Sequence, residues 1–412
     1  ICIVATHSNM NGSFSRRRRI EGVGSNNAKT ESIKDLRRNK RSWLQRIEIL
    51  GGRRRGILLT TLALMTIAAV TSNNKSPHES KKTAGVILRR DWSRFTELSP
   101  LAQYYKDVQN NCDLREKRNQ FSKLGMGLGS ELHRWTQVIC ESYSQNSRLR
   151  STMAGHSWIW LDQTSCDATQ AREISPLQCY FPSAETKCQT AGTAPLSSKT
   201  SCKTLQADLN ITTADVRTAG IEFLFSNVSP LVIAEAQRQL RLVFGNKPVP
   251  HNLVTVHVRW GDKVTSREMK FMPIEDYIDA VKSLAKQRNS SDAVSVYLAT
   301  EDPKAVQQFQ EKSPPDWNIY VDQYFHEVKK HRQMDKELWN QAVATSKETK
   351  GRAGLLTLAS LLVAMEANDY VLTTASNWSR LMNELRSAIL DKECNGCTRM
   401  IDLQLPQALL EV

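Results

Sequence analysis

The 412-residue chain has no Walker-type glycine loop, no G-x-G-x-x-G behind a strand pattern and no Gly-x-Ser-x-Gly elbow. Those absences set aside P-loop, dinucleotide and serine-hydrolase chemistry. It has no Asp-x-Asp pair and no His/Asp cluster at metal-ligand spacing, so no divalent-ion site is written into it. Long uncharged runs are scarce too: there is one, which excludes a protein that crosses a membrane several times. With 40% hydrophobic and 24% charged residues, the chain is neither disordered throughout nor collagenous. Its length suggests two to three domains at ~150 residues each. The formal charge of +14 suggests a nucleic-acid partner until its location is read. Residues 1–55 hold 14 Lys and Arg against four Asp and Glu, and the remaining residues hold 42 against 38. The folded part is therefore nearly neutral, and no nucleic-acid partner is expected.

The single uncharged run, GILLTTLALMTIAAVTS at Gly56–Ser72, directly follows Arg53, Arg54 and Arg55. As a helix it reaches ~25 Å, enough for a thin early-secretory bilayer. Cations on its N-terminal flank predict a cytoplasmic N-terminus and a luminal C-terminus, a type II anchor in the lipid bilayer. The alternative is a signal peptide cleaved near Ala68 or Ala69, for which the polar leader is far too long. The sequence opens on Ile1, with Met10 as a candidate start, and residues 1–55 read as a disordered basic cytoplasmic tail.

Of nine cysteines, only Cys2 precedes the run. The other eight are an even set, and four fall within residues 166–202, the pattern of a disulfide-stapled segment in an oxidising lumen. Pairing is left open by the sequence. Cys394 and Cys397 form a CxxC without the second pair that zinc requires, so a disulfide across Asn395-Gly396 is expected. Among the glycosylation sequons, Asn210 and Asn289 read as exposed and usable, Asn227 and Asn377 as not.

Residues 73–104 are polar and Lys/Ser-rich, an expected stem. An N-terminal, acceptor-side domain is expected over residues 105–250. Within it, apolar spacing predicts a helix over Glu131–Ser144 behind a glycine-rich turn, a short strand over Ile159–Leu161, irregular chain over 163–205 and a helix over Pro230–Leu242. Residues 251–392 alternate between the two element types. Strands are expected over Leu253–Val258, Val294–Ala299, Asn318–Val321 and Tyr370–Thr374, and helices over Ile274–Arg288, Pro303–Lys312, Gly354–Ala367 and Trp378–Leu390. This pattern predicts a Rossmann-like α/β domain whose parallel sheet is covered on both faces, with residues 393–412 as a tail.

Ligands of such sheets bind at the strands' carboxyl ends. There the sequence sets His257–Lys263 after the first strand, Thr300, Glu301 and Asp302 after the second, and Thr373–Trp378 after the last. The Arg259 guanidinium can fork onto a phosphate, while Thr374 and Ser376 open a helix whose free N–H groups favour an anion. An Arg, a Lys, a His and a helix N-terminus suit a pyrophosphate leaving group. A structural ion pair between Arg259 and Asp262 is the competing reading.

VHVRWGDKVTSREMKFMPIEDYIDAV resembles the nucleotide-sugar motif of the α-1,6-fucosyltransferase family, in which HVRRTDKV precedes an acidic residue and then FxPIExY. VYLATEDP, from Val296 to Pro303, is similar to that family's VYLATDDP. DYVLTTASNWSRL, from Asp369 to Leu381, is similar to its DFLVxTxSS segment, in the same order. GLGSELHRW and IEFLFSNVSP resemble the family's glycine-rich turn and its approach to the first motif. The resemblance implies a GT-B-like α/β fold of two Rossmann-like domains in a single-pass Golgi membrane protein. It implies inverting transfer of L-fucose from GDP-β-L-fucose, without metal or other cofactor, to a glycan or glycoprotein acceptor in α-1,6 linkage, and it admits a homodimer.

By motif position the resemblance also implies roles. Arg259 would neutralise the pyrophosphate, Lys263 would assist the leaving phosphate and Glu268 would be the base. His257, Trp260 and Asp262 would hold the nucleotide, and Tyr277, Glu301 and Asp302 would orient the donor. Thr374, Ser376, Asn377 and Trp378, with Gly127 and Gly129, would line its phosphate side. Two departures stand out: Trp260 replaces the family's second arginine, and the guanine-recognising acid falls on Leu361, leaving Glu366 or Asp369 for that task. The alternatives are a related O-fucosyltransferase acting on protein Ser or Thr, and a carbohydrate-binding protein that kept the fold without turnover.

Overall fold

The computed structural model describes residues 87–94, 97–120, 126–152, 158–167, 171, 175–189, 192, 201–260, 269–288, 292–324, 326 and 341–404. The expected tail and anchor lie outside these ranges, and among the described residues no single helix is long and apolar enough to cross a bilayer. The expected stem is packed where it is described: Leu88 and Trp92 are buried, with the Trp92 ring edge-on to Phe225 at 6.5 Å. A buried indole outweighs the polar composition around it.

Helix α1 (Pro100–Asn110) starts on a proline behind the Ser99 cap. Strand β1 (Arg115–Gln120), helix α2 (Leu128–Ser144) and strand β2 (Ser147–Thr152) then form a βαβ unit, with Arg115 opposite Ser147 in parallel register. Among the described residues this pair is the only sheet in the N-terminal half. Ile159–Leu161, expected as a strand, is a turn closed by Leu161 N–H on the Trp158 carbonyl at 2.9 Å; its apolar residues fill the core from a bend. Three disulfides, Cys112–Cys188, Cys140–Cys202 and Cys166–Cys179, staple this half together. The fourth, Cys394–Cys397, spans Asn395 and Gly396, both at positive φ. Helices α3 (Cys202–Leu209), α4 (Thr213–Phe225, with a Thr212/Asp215 capping box) and α5 (Pro230–Phe244) complete the half.

The second half alternates as expected: β3 (Leu253–His257), α6 (Ile274–Gln287), β4 (Ser295–Ala299), α7 (Pro303–Lys312) and β5 (Asn318–Val321). It continues through α8 (Gln341–Glu348), α9 (Arg352–Ala364), β6 (Asp369–Leu372), α10 (Asn377–Leu385) and β7 (Arg399–Asp402). The five strands form one all-parallel sheet in the order β5-β4-β3-β6-β7. Edge strand β7 lies in the stretch expected to be tail. Alternate residues feed two cores: Leu253, Tyr297, Tyr370 and Leu372 pack with the N-terminal half, while Val254, Val256, Leu298 and Val371 pack under α6 and α7.

Helix α9 is buried from Ala353 onward, and Gly354 permits a close backbone approach. A Cβ on Gly354 would lie 2.0 Å from the Trp160 carbonyl oxygen. Gly354→Ala is therefore expected to cost ~1–3 kcal/mol of stability, read as a lower denaturation midpoint; an unchanged midpoint would contradict this packing.

Candidate functional site

Strand order reverses between β3 and β6, so the chain leaves their carboxyl ends in opposite directions and a crevice opens between them. The sequence-predicted residues at these ends are therefore brought to one edge. His257 closes β3, buried, with Nδ1 2.6 Å from Ser379 Oγ on α10. Burial, reinforced by the neighbouring Arg259 charge, pushes its imidazole down to about 3. His257 is thus a neutral tie across the reversal. Arg259, half-buried, follows, and its Nη1 donates to the Trp260 carbonyl at 3.0 Å. Trp260 turns inward: its indole N–H donates to Met272 O at 2.9 Å, and its ring packs against Phe271. Tyr277, buried on α6, places its hydroxyl beside the Arg259 backbone; burial raises its ionisation well above the usual range.

The other strand ends supply carboxylates. After β4, Asp302 caps α7 by accepting from Lys304 N–H at 2.8 Å and Ala305 N–H at 3.3 Å, while Glu301 stands half-buried beside it. After β5, Asp322 is buried, accepting from Tyr324 N–H at 2.8 Å and bonded to Ser360, which lies 2.9 Å from Gln239 Oε1. Desolvation raises its carboxyl to about 6. Asp402 at the end of β7 accepts from Thr374 N–H at 3.2 Å and from its hydroxyl.

The loop from β6 to α10 is held from behind. The Arg380 guanidinium binds Thr374 O at 3.1 Å, Ala375 O at 3.4 Å and Asn377 Oδ1 at 3.0 Å. Carbonyl and following N–H point opposite ways in a trans peptide, so the Ala375 N–H is turned away from Arg380. Neither α10, opening at Ser376, nor α2, opening at Gly127, receives a side-chain cap. The two first turns abut, and a Cβ on Gly129 would lie 3.2 Å from the Trp378 ring and 3.3 Å from the Asn377 backbone. Two helix N-termini without a side-chain cap thereby meet at the β6–α10 loop.

Asp262, Lys263 and Glu268 lie outside the described residues. Leu361 is buried within α9. The two carboxylates expected to replace its family counterpart stand at the sheet's amino edge instead, because both precede or begin β6. Glu366 accepts from Arg89 N–H at 2.8 Å, and Asp369 pairs with Arg288 at 2.6 Å and Arg399 at 2.7 Å. The sequon at Asn377 is spent on Ser130, 2.7 Å away, and that at Asn227 on Ser183 at 2.6 Å, whereas Asn210 is exposed. Sequence reasoning missed Asp322, Ser379 and Asp402, whose partners come from distant segments, and Arg380, which clips the loop just before its own helix. Strand-end position could have flagged Asp322.

Residues 231–338 match the family model for the α-(1,6)-fucosyltransferase N- and catalytic domains. The matched segment runs from α5 to beyond β5 and contains Arg259, Glu301 and Asp302, so the likeness of the chain to an enzyme family rests on this stretch. Among solved structures, an α-1,6-fucosyltransferase, NodZ, soaked with GDP-fucose is similar over 66% of this chain and 92% of its own, at 13% identity and TM-score 0.36. Selenomethionyl NodZ fucosyltransferase from Bradyrhizobium is similar over 66% and 91%, at 12% identity and TM-score 0.37. No curated protein matches the chain.

His257 and Asp322 give the protein opposite pH responses. The unfolded chain protonates His257 below ~6.5 and the folded one only near about 3, so its contribution to stability is lost as pH falls. Folded Asp322 holds its proton up to about 6 while the unfolded carboxyl loses it near 3.8, so that contribution is lost as pH rises. Asp322→Asn should therefore gain stability relative to the native chain between about pH 4 and about pH 7, by up to roughly 3 kcal/mol, in denaturant titrations at both pH values. A pH-independent difference would contradict the buried-acid assignment.

Proposed function

We propose that the protein transfers L-fucose from GDP-β-L-fucose to a glycan or glycoprotein hydroxyl in α-1,6 linkage, with inversion and without a metal. The observation that carries this reading is the placement of Arg259 and the uncapped first turn of α10 on the two sides of the β3–β6 crevice. A departing nucleoside diphosphate gathers negative charge as the bond from sugar C1 to phosphate oxygen breaks. A guanidinium and oriented N–H groups neutralise such charge without a divalent ion. The acceptor oxygen attacks C1 from the opposite face and gives its proton to a carboxylate, for which the family resemblance offers Glu268, with Lys263 on the leaving phosphate. His257 keeps the crevice's floor uncharged and tied to α10, and Asp302, spent as a helix cap, orients the β4 end rather than the sugar.

The GT-B-like reading, with a second Rossmann-like domain, draws support from the βαβ unit around α2, whose first turn packs on the phosphate side through Gly129. The Golgi, type II reading draws support from four disulfides, which call for an oxidising compartment, and from the cation-flanked run at 56–72.

Donor hydrolysis and transfer assayed across GDP- and UDP-sugars test the reading, with a glycopeptide and an unglycosylated Ser/Thr peptide as acceptors. Turnover of GDP-fucose onto the glycopeptide alone is expected, and an excess of EDTA should leave its rate nearly unchanged. Arg259→Ala should lower transfer by at least ~10²-fold with an unaltered melting temperature. Loss of folding in place of activity would make Arg259 a structural ion-pair partner, and turnover of a UDP-sugar would remove the GDP-fucose assignment.

A further inference from the structure

Behind the phosphate-side loop, α2 contributes one buried imidazole whose hydrogen-bond inventory does not close without an extra proton. His133 Nδ1 lies 3.0 Å from Asn377 Oδ1, and Nε2 lies 2.8 Å from Glu384 Oε2, with both His133 and Glu384 almost fully buried. The Asn377 amide cannot be turned round. Arg380 Nη1, a pure donor, binds its Oδ1 at 3.0 Å, while its Nδ2 donates to Ser130 Oγ at 2.7 Å. Nδ1 must therefore carry a hydrogen. Nε2 faces a carboxylate whose other oxygen accepts from Arg217 Nε, so that contact also needs a proton. The ring and the carboxyl group share it. Arg217 on α4 also faces Glu384, and Arg380 on α10 faces Asn377.

Loss of the shared proton leaves one N–H for two acceptors. The charged carboxylate draws it to Nε2, since hydrogen bonds to an ionised acceptor are the stronger ones. Nδ1 is then left with a lone pair against Asn377 Oδ1. Asn377 is the first residue of α10, and its displacement loosens the turn that Arg380 also clips at Thr374 and Ala375.

We propose that His133 is a positioning residue: its shared proton locks the first turn of α10 in the geometry that receives the donor diphosphate. The proposal rests on the reading of that turn as the phosphate side. Diphosphate affinity consequently depends on this proton. Glu384→Gln removes the dependence, because its amide Nε2 donates to a neutral ring's Nε2 while Oε1 still accepts from Arg217, so Nδ1 keeps its hydrogen.

The test is calorimetric titration of GDP into the full chain in detergent, repeated over a series from about pH 5.5 to about pH 8.5. For the native chain the Kd should rise at least ~10-fold over the series, the worth of a lost hydrogen bond in a charged network. Glu384→Gln, with a native-like melting temperature, should hold the low-pH Kd throughout, and a folded His133→Ala should bind weakly at every pH. A native Kd that does not change with pH, or a Glu384→Gln series that tracks the native one, overturns the clamp while leaving the diphosphate site standing. A native chain that binds no GDP at any pH removes the site itself and the clamp with it.

Discussion

A parallel sheet whose connections wind both ways must part its loops somewhere, and here that happens where β3 pairs with β6. Pairing of Val254, Thr255 and Val256 with Asp369, Tyr370 and Val371 fixes the two carboxyl ends side by side. The chain beyond β3 then runs toward α6 and that beyond β6 toward α10. The loops beyond the two strands part at this point, the position at which ligands of open α/β sheets bind. The His257–Ser379 hydrogen bond holds the gap at its base, and its neutrality follows from burial next to a guanidinium. Positive charge is thereby concentrated at the mouth, on Arg259 and the helix N-termini, where a departing diphosphate has use for it.

The N-terminal half completes this arrangement. Helix α2 presents glycine at its first turn, where the Trp378 ring and the Asn377 backbone would crowd a Cβ at 3.2 Å and 3.3 Å. The same helix one turn later carries His133, whose partners all lie on α10. Packing and polar contacts thus make α2 and α10 one unit, and disulfides hold the helices around α2 in place, with Cys140 on α2 bonded to Cys202 at the start of α3.

Much of the second half was legible in the sequence. Buried parallel strands are written as short apolar runs, and helices announce themselves through caps such as Asp302-Pro303. Strand β7 was not legible because four residues at a sheet edge carry too little pattern, and β1 and β2 were hidden by their polar composition. In β2 the reason is specific: buried Ser151 is satisfied by Glu185 at 2.7 Å, so no apolar alternation was needed. Helix α4 is buried nearly all round in its second half and shows no amphipathic stripe. At the site, Arg259, Thr374 and Ser376 could be placed by counting from strand ends. Asp322 stands at such an end too, but its network could not be read from that position, and neither Ser379 nor His133 could be placed at all. Their roles come from partners more than a hundred residues away or from a network four elements share, and no local spacing encodes either. Glu366 and Asp369 were misplaced because strand direction, rather than proximity to a motif, decides which edge a carboxylate reaches.

The account stands or falls on where the diphosphate sits. A crystal structure of the chain with GDP measures this directly. Phosphate oxygens within hydrogen-bond distance of the Arg259 guanidinium and of the N–H groups opening α10 are the predicted result. A nucleotide bound away from the β3–β6 crevice, with Arg259 turned onto Asp262, would contradict it.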